Sequence, residues 1–347
     1  MAAAFRQQLA ADLESGQFAR RPTTLDLLHR LNRRFRKESA LYRLLDRAWL
    51  FPLSNALRYC QDLSDKIEQH GFFRGARLEF ERLGLDLEVS VSDQAQRLLD
   101  SDAPILFVGE HPCTWGHDIL AFAASLDRLC PHRRDLVVLA WILATAICPA
   151  SAPLCEPVIV PSKAIERFTH DENGVGNEQP GVPHSIFRSW SPDLPVAASS
   201  RRTRESIYNL ARRWMAGEHA LIYPAGIAGT RALWFPGLGR VIRFAAEQLD
   251  GQTRPDPHIL FFRLDGAHNY QVLSPPVVSR WHPARLLALG TPRRIAVRYG
   301  QTFRLRDWRE RFLAMDNRSL ARFLQAKFYH GTNRSPFADG GNGSPSG

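Results

Sequence analysis

The sequence predicts an α/β protein: a mixed, largely parallel sheet flanked by helices and preceded by an N-terminal helical region. Three observations carry that expectation. PILFVGEH (104–111), VVLAWILA (137–144), HALIYPAG (219–226) and HILFFRL (258–264) are apolar runs of strand length, as strands covered on both faces require. Segments of helical period stand between them, and that alternation builds parallel sheets through helical crossovers. Residues able to do chemistry follow the carboxyl ends of these runs, where open α/β sheets hold their ligands.

The 347 residues, 44% hydrophobic and 23% charged, suffice for one large domain or two small ones. A formal charge of +10 draws the chain to polyanions: nucleic acid, an anionic bilayer or an acidic protein. Nucleic-acid binding finds no recognisable module and no aromatic-basic platform, so it is set aside. Five scattered cysteines without a CxxC pair predict reduced thiols of a cytosolic protein, with neither a disulfide framework nor a metal site. The N-terminal residues lack the apolar stretch of a secretory signal. The longest apolar run, LVVLAWILATAIC (136–148), falls short of the roughly 20 residues a bilayer span needs. It reads as a buried strand or strand-helix pair, with shallow membrane insertion as the alternative.

Taken in order, residues 1–79 form the N-terminal helical, basic amphipathic region. Leu25, Leu28, Leu31 and Phe35 recur at spacings of three and four, with Arg30, Arg33, Arg34, Arg36 and Lys37 between them. Two readings stay open: a solvated helix face, or a helix on anionic headgroups with Trp49, Leu50 and Phe51 at the interface. A further helix ends near Gly71. Residues 80–330 form the α/β domain. LGLDLEVSV (83–91) alternates as a strand, PILFVGEH follows, and a helix runs from Asp118 or Ile119 to about Leu129. After VVLAWILA comes a loop-rich insert, 170–196, then a basic helix from about Arg202 to Met215 and the strand HALIYPAG. A helix at 239–249, the strands HILFFRL and RRIAVRYGQTF (293–303), and one closing amphipathic helix at 306–330 complete the domain. Residues 331–347 read as a disordered tail.

His111 ends an apolar strand, and Pro112 and Gly116 keep a helix from spanning the next positions. Asp118 opens the following helix. A carboxylate against one ring nitrogen fixes the tautomer, so that the other nitrogen can take a proton from a hydroxyl. The plainer account is an aspartate at an ordinary helix start. His117 is the competing base and reads as a surface or capping residue. Cys113 lies beside both histidines, which admits a thiol nucleophile. A second constellation follows HALIYPAG: Gly226, Gly229, Thr230 and Arg231, then Gly237 and Gly239 opening a helix. Glycines let backbone amides approach an anion, and a helix N-terminus with guanidinium groups favours phosphate. Turn geometry alone also accounts for such glycines.

PILFVGEHPCTWGHD resembles the first motif of the glycerolipid and lysophospholipid acyltransferase superfamily, in which an apolar strand ends in Asn-His, four residues intervene and an Asp follows. LIYPAGIAGTRALWFPGLGRVIRFA resembles its third motif, Phe-Pro-Glu-Gly-Thr-Arg followed by a Phe and a Gly that open a helix. HILFFRL and RIAVRYGQTF fall where its fourth strand and closing strand would be, and HSIFR offers Arg188 as the second-motif arginine. Order and spacing agree over about residues 80–305. The chain departs from the pattern as a divergent member would. Six residues separate His111 from Asp118, Glu110 replaces the Asn, and Ala225 stands where the family has Glu.

The resemblance implies an acyltransferase-like fold and cofactor-free acyl transfer. His111 is the general base, Asp118 orients it, and an acceptor hydroxyl attacks an acyl thioester carried by CoA or acyl carrier protein. Arg188, Gly226, Gly229, Thr230, Arg231, Gly237 and Gly239 would hold the anionic headgroup or donor phosphates. The implied partners are the thioester donor, a lipid acceptor of lysophospholipid or glycolipid type, and an anionic membrane surface. The implied location is cytoplasmic, peripheral on the inner face of the cytoplasmic membrane. The rival functions are a lipid-binding member without turnover and a Cys113-dependent thioesterase.

Overall fold

A computed structural model describes residues 2–111, 116–130, 135–159, 192, 194–225, 234–249, 255–266, 277–283, 286 and 293–333. The expected α/β fold is present. Among the described residues seven strands form one sheet, in the order β1-β7-β6-β2-β5-β3-β4. They are β1 (Asp86–Val91), β2 (Ile105–Val108), β3 (Leu136–Trp141), β4 (Cys155–Val158), β5 (His219–Ile222), β6 (His258–Asp265) and β7 (Arg294–Arg304). Five neighbouring pairs are parallel, and only β6 and β7 run antiparallel, which makes the sheet mixed.

The continuous apolar runs follow from burial on both faces. Ile105 and Phe107 of β2 enter one core, and Leu106 and Val108 enter the other. β6 divides in the same way, with Leu260 and Phe262 on the first side and Ile259 and Phe261 on the second. The first core is covered by helices α4 (Leu53–His70), α5 (Phe72–Arg82), α6 (Asp93–Leu99) and α7 (His117–Leu129). The second is covered by α9 (Val196–Met215), α10 (Pro236–Gln248), α11 (Leu305–Leu313) and α12 (Asn317–Asn333).

A third cluster joins α1 (Ala2–Glu14) and α2 (Thr24–Glu38) to α4 and to α8 (Ile142–Ile147), through Phe5, Leu9, Leu25, Leu28, Leu57 and Ile142. The run 136–148 is thus a strand followed by a helix packed into protein. Among the described residues no helix is long and apolar enough to cross a membrane. In the apolar stripe of α2, Leu25 and Leu28 are fully buried in protein, while Phe35 is exposed. Leu25 and Leu28 are therefore packed into protein and not offered to a lipid surface.

Two helix boundaries differ from expectation. Gly71, at φ 78°, ends α4 and at once begins α5, so one helix-to-strand connection contains a second helix. The closing helix is two helices, because the Asp316 carboxylate accepts from the amides of Arg318 and Ser319 and starts α12 afresh. Gly239 of α10 meets the start of α12 so closely that a Cβ there would lie 2.1 Å from the Asn317 carbonyl oxygen. Backbone faces backbone, and no side chain can swing away. Gly239→Ala is expected to lower stability by about 1–3 kcal/mol, read as a lower urea midpoint at unchanged m-value.

Candidate active site

β2 lies at the centre of the sheet, and its carboxyl end carries the site. Phe107 faces the α7 layer, and two residues on a Cβ at Gly109 would lie 2.5 Å from the Phe262 ring. Glycine is therefore the residue that lets the chain continue over Phe262. Carrying the same two-residue alternation to 111 brings His111 out on the α7 side. There its ring stacks on Tyr223, which follows the neighbouring strand β5, with centroids 5.0 Å apart.

Asp118 is completely buried and bonds His111 Nδ1 through Oδ2. Its Oδ1 accepts the Ile119 amide at 2.8 Å, so the carboxylate is fixed at both oxygens. Gly116, at φ 75°, turns the backbone into α7. The carboxylate sits in that helix's first turn, where the exposed amide dipoles favour negative charge. The six residues between His111 and Asp118 allow the contact; of these Pro112, Cys113, Thr114 and Trp115 lie outside the described residues.

Glu110 is also buried, and the Tyr329 hydroxyl of α12 donates to its Oε1. Glu110 thus ties α12 to the base of the site. Tyr223 is enclosed as well. Burial, and then the Asp118 charge, raise its phenol well above the ordinary tyrosine range, so it stays protonated. Ala225 is buried beyond it, and the Phe235 amide donates to the Pro224 carbonyl at 2.8 Å. That bond holds the N-terminus of α10 beside the end of β5.

His117 is corrected from a surface or capping residue to a core one. It is 1% exposed, edge-on to Tyr59 of α4. Burial lowers its pKa to about 4, against smaller opposing effects of Asp118 and Glu79. It is therefore neutral in the fold at neutral pH. Because the unfolded chain binds that proton near pH 6.5, stability is expected to fall as pH drops from about 6.5 towards 4, by roughly 2–3 kcal/mol. Half-buried His258, also lowered by burial, acts in the same direction. Urea midpoints across this range check the slope, which His117→Phe should flatten.

Of the residues expected at an anion site, Gly237 and Gly239 are in the first turn of α10. Gly239 has a packing reason in its contact with Asn317, independent of any anion. Arg188, Gly226, Gly229, Thr230 and Arg231 lie outside the described residues. Cys60, Cys130, Cys148 and Cys155 are free thiols. Burial pushes Cys60 and Cys148 up to about 12 and Cys155 to about 11, which makes them poor nucleophiles. Among the described residues no group of three His, Cys, Asp or Glu side chains is arranged to hold a metal ion.

Sequence reasoning missed Tyr223 and Tyr329. An aromatic residue just past an apolar strand was the available signal for Tyr223, and Tyr329 gave none. Chemically, the arrangement is a histidine with one nitrogen fixed by a buried carboxylate, at the carboxyl end of the central strand of a mixed sheet. No known family matches the chain, and neither does any curated protein.

Proposed function

We propose that the protein is an O-acyltransferase of the glycerolipid acyltransferase type, moving a fatty acyl group from a thioester to a hydroxyl of a lipid-like acceptor. The observation that carries this reading is the Asp118 bond to His111 Nδ1 at the carboxyl end of the central strand. With a proton held on Nδ1, Nε2 is the basic nitrogen. It removes the acceptor's hydroxyl proton as the oxygen attacks the thioester carbonyl. The tetrahedral intermediate then collapses, the C–S bond breaks, and the imidazolium returns the proton to the departing thiolate. A base so placed contributes about 10²- to 10⁴-fold in rate. Asp118 steadies the imidazolium through its bond to Nδ1.

With buried Ala225 where the family has a glutamate, an acceptor other than simple glycerol 3-phosphate is favoured. The donor is acyl-CoA or acyl carrier protein, used as a substrate. The test offers the purified protein a panel of lysophospholipids and single-hydroxyl glycolipids with both donors, and reads the lipid products by mass spectrometry. Acylated product is the expected result. Release of free fatty acid that Cys113→Ser stops would replace this reading with a thioesterase.

A further inference from the structure

The helix α3 (Ala40–Ala48) is mounted with its polar side inward. The Tyr42 hydroxyl donates to Asn32 Oδ1 at 2.8 Å. The buried Asp46 carboxylate accepts from the Arg36 guanidinium at 2.9 Å and from the Ser54 hydroxyl at 2.7 Å. The opposite side carries Leu41, Leu44, Leu45 and Trp49, at helical spacing and 51–66% exposed. Folding alone gives no reason for this orientation, since a core-facing helix turns its apolar stripe inward.

A second segment lies against the end of the same helix. The Ser279 amide donates to the Leu50 carbonyl at 2.9 Å, and its hydroxyl to the Arg47 carbonyl at 2.6 Å. Val278 packs on Leu50 and Phe51. This anchor holds Trp281 and, a few residues on, Leu286, which among the described residues are the two most exposed large apolar side chains, at 74% and 76%. Phe51 turns into the protein, so the exposed set differs from the Trp49, Leu50 and Phe51 group expected at the interface.

Six large apolar side chains therefore project from two segments fastened together, with exposed Arg43, Arg47 and Arg280 among them. The acidic residue within α3, Asp46, is buried and paired. We propose that this face docks the protein onto an anionic bilayer. Leu41, Leu44, Leu45 and Leu286 enter the acyl layer, Trp49 and Trp281 lie at headgroup depth, and the three arginines meet lipid phosphates. Charge complementarity selects this occupant over a second copy of the chain. Self-association would set the arginines of two +10 molecules against one another, whereas a bilayer supplies both the anionic and the apolar layer. Docking is independent of the acyl-transfer reading and needs no turnover to be observed.

The test is sedimentation of the full chain with vesicles of equal parts phosphatidylcholine and phosphatidylglycerol, and with phosphatidylcholine alone. Wild type is expected to pellet with the anionic vesicles and to be released as salt rises. Leu44→Glu and Trp281→Glu, at solvent-exposed positions, are each expected to weaken binding about tenfold or more at unchanged thermal midpoint. Absence of wild-type binding overturns the proposal, and so does equal binding by both variants. A dimer that Leu44→Glu dissociates, without vesicle binding, would overturn it in favour of self-association. Should either variant fold poorly, quenching of wild-type tryptophan fluorescence by brominated lipid decides the matter, because an undocked face leaves the indoles unquenched.

Discussion

His111→Ala is expected to reduce acyl transfer by about 10²- to 10⁴-fold while leaving acceptor affinity nearly unchanged. An alcohol is almost wholly protonated near neutral pH, so the attacking oxygen needs a base at the moment of attack. Nε2 of His111 is that base in the proposed mechanism. The substitution removes the Asp118 contact and the stacking on Tyr223, but the imidazole sits at the mouth of the sheet rather than inside a core. The protein should therefore remain folded, and circular dichroism would establish this before kinetics are compared. The loss should fall on kcat, because the proton is taken only as the transition state forms. Transfer at the wild-type rate in the folded variant would remove His111 from the base role and return attention to the thiol chemistry of Cys113, to be tested by Cys113→Ser.

The strands were legible because of where they lie. Ile105, Leu106, Phe107 and Val108 are all buried, alternately in two cores, so a central strand announces itself as an unbroken apolar run. The pairing of His111 with Asp118 was legible as well, since both flank one strand-to-helix connection. What escaped depends on contacts between distant parts of the chain. Tyr329 reaches Glu110 across 219 positions, and Tyr223 reaches His111 only because β5 pairs with β2 in parallel. His117 looks like an ordinary residue before a helix, and only tertiary contacts such as its edge-on packing on Tyr59 of α4 make it a core residue. The reversed mounting of α3 escaped for a related reason. Its apolar periodicity is plain in the sequence, but the direction it faces is set by Asn32, Arg36 and Ser54 on neighbouring helices.

Asp118→Asn separates the shape of the site from its proton chemistry. Asn occupies nearly the same volume, and its side-chain oxygen can keep the Ile119 amide bond. The amide NH₂ then faces His111 Nδ1, where a carboxylate oxygen stood. An NH₂ donates rather than accepts, so it favours the tautomer with the proton on Nε2 and the lone pair on Nδ1. The nitrogen facing the substrate hydroxyl would then be unable to accept a proton. Transfer is expected to fall about 10³- to 10⁴-fold, comparable to deletion of the imidazole, with only a small change in thermal midpoint. Asp118→Ala would lose the amide bond too, leaving the first turn of α7 short of an acceptor, and should lower stability as well as rate. Loss of rate without loss of stability in the Asn variant would identify orientation of the base, rather than support of the helix, as the main contribution of Asp118. Equal losses of stability in both variants, with a mild loss of rate, would reduce Asp118 to a helix-start residue.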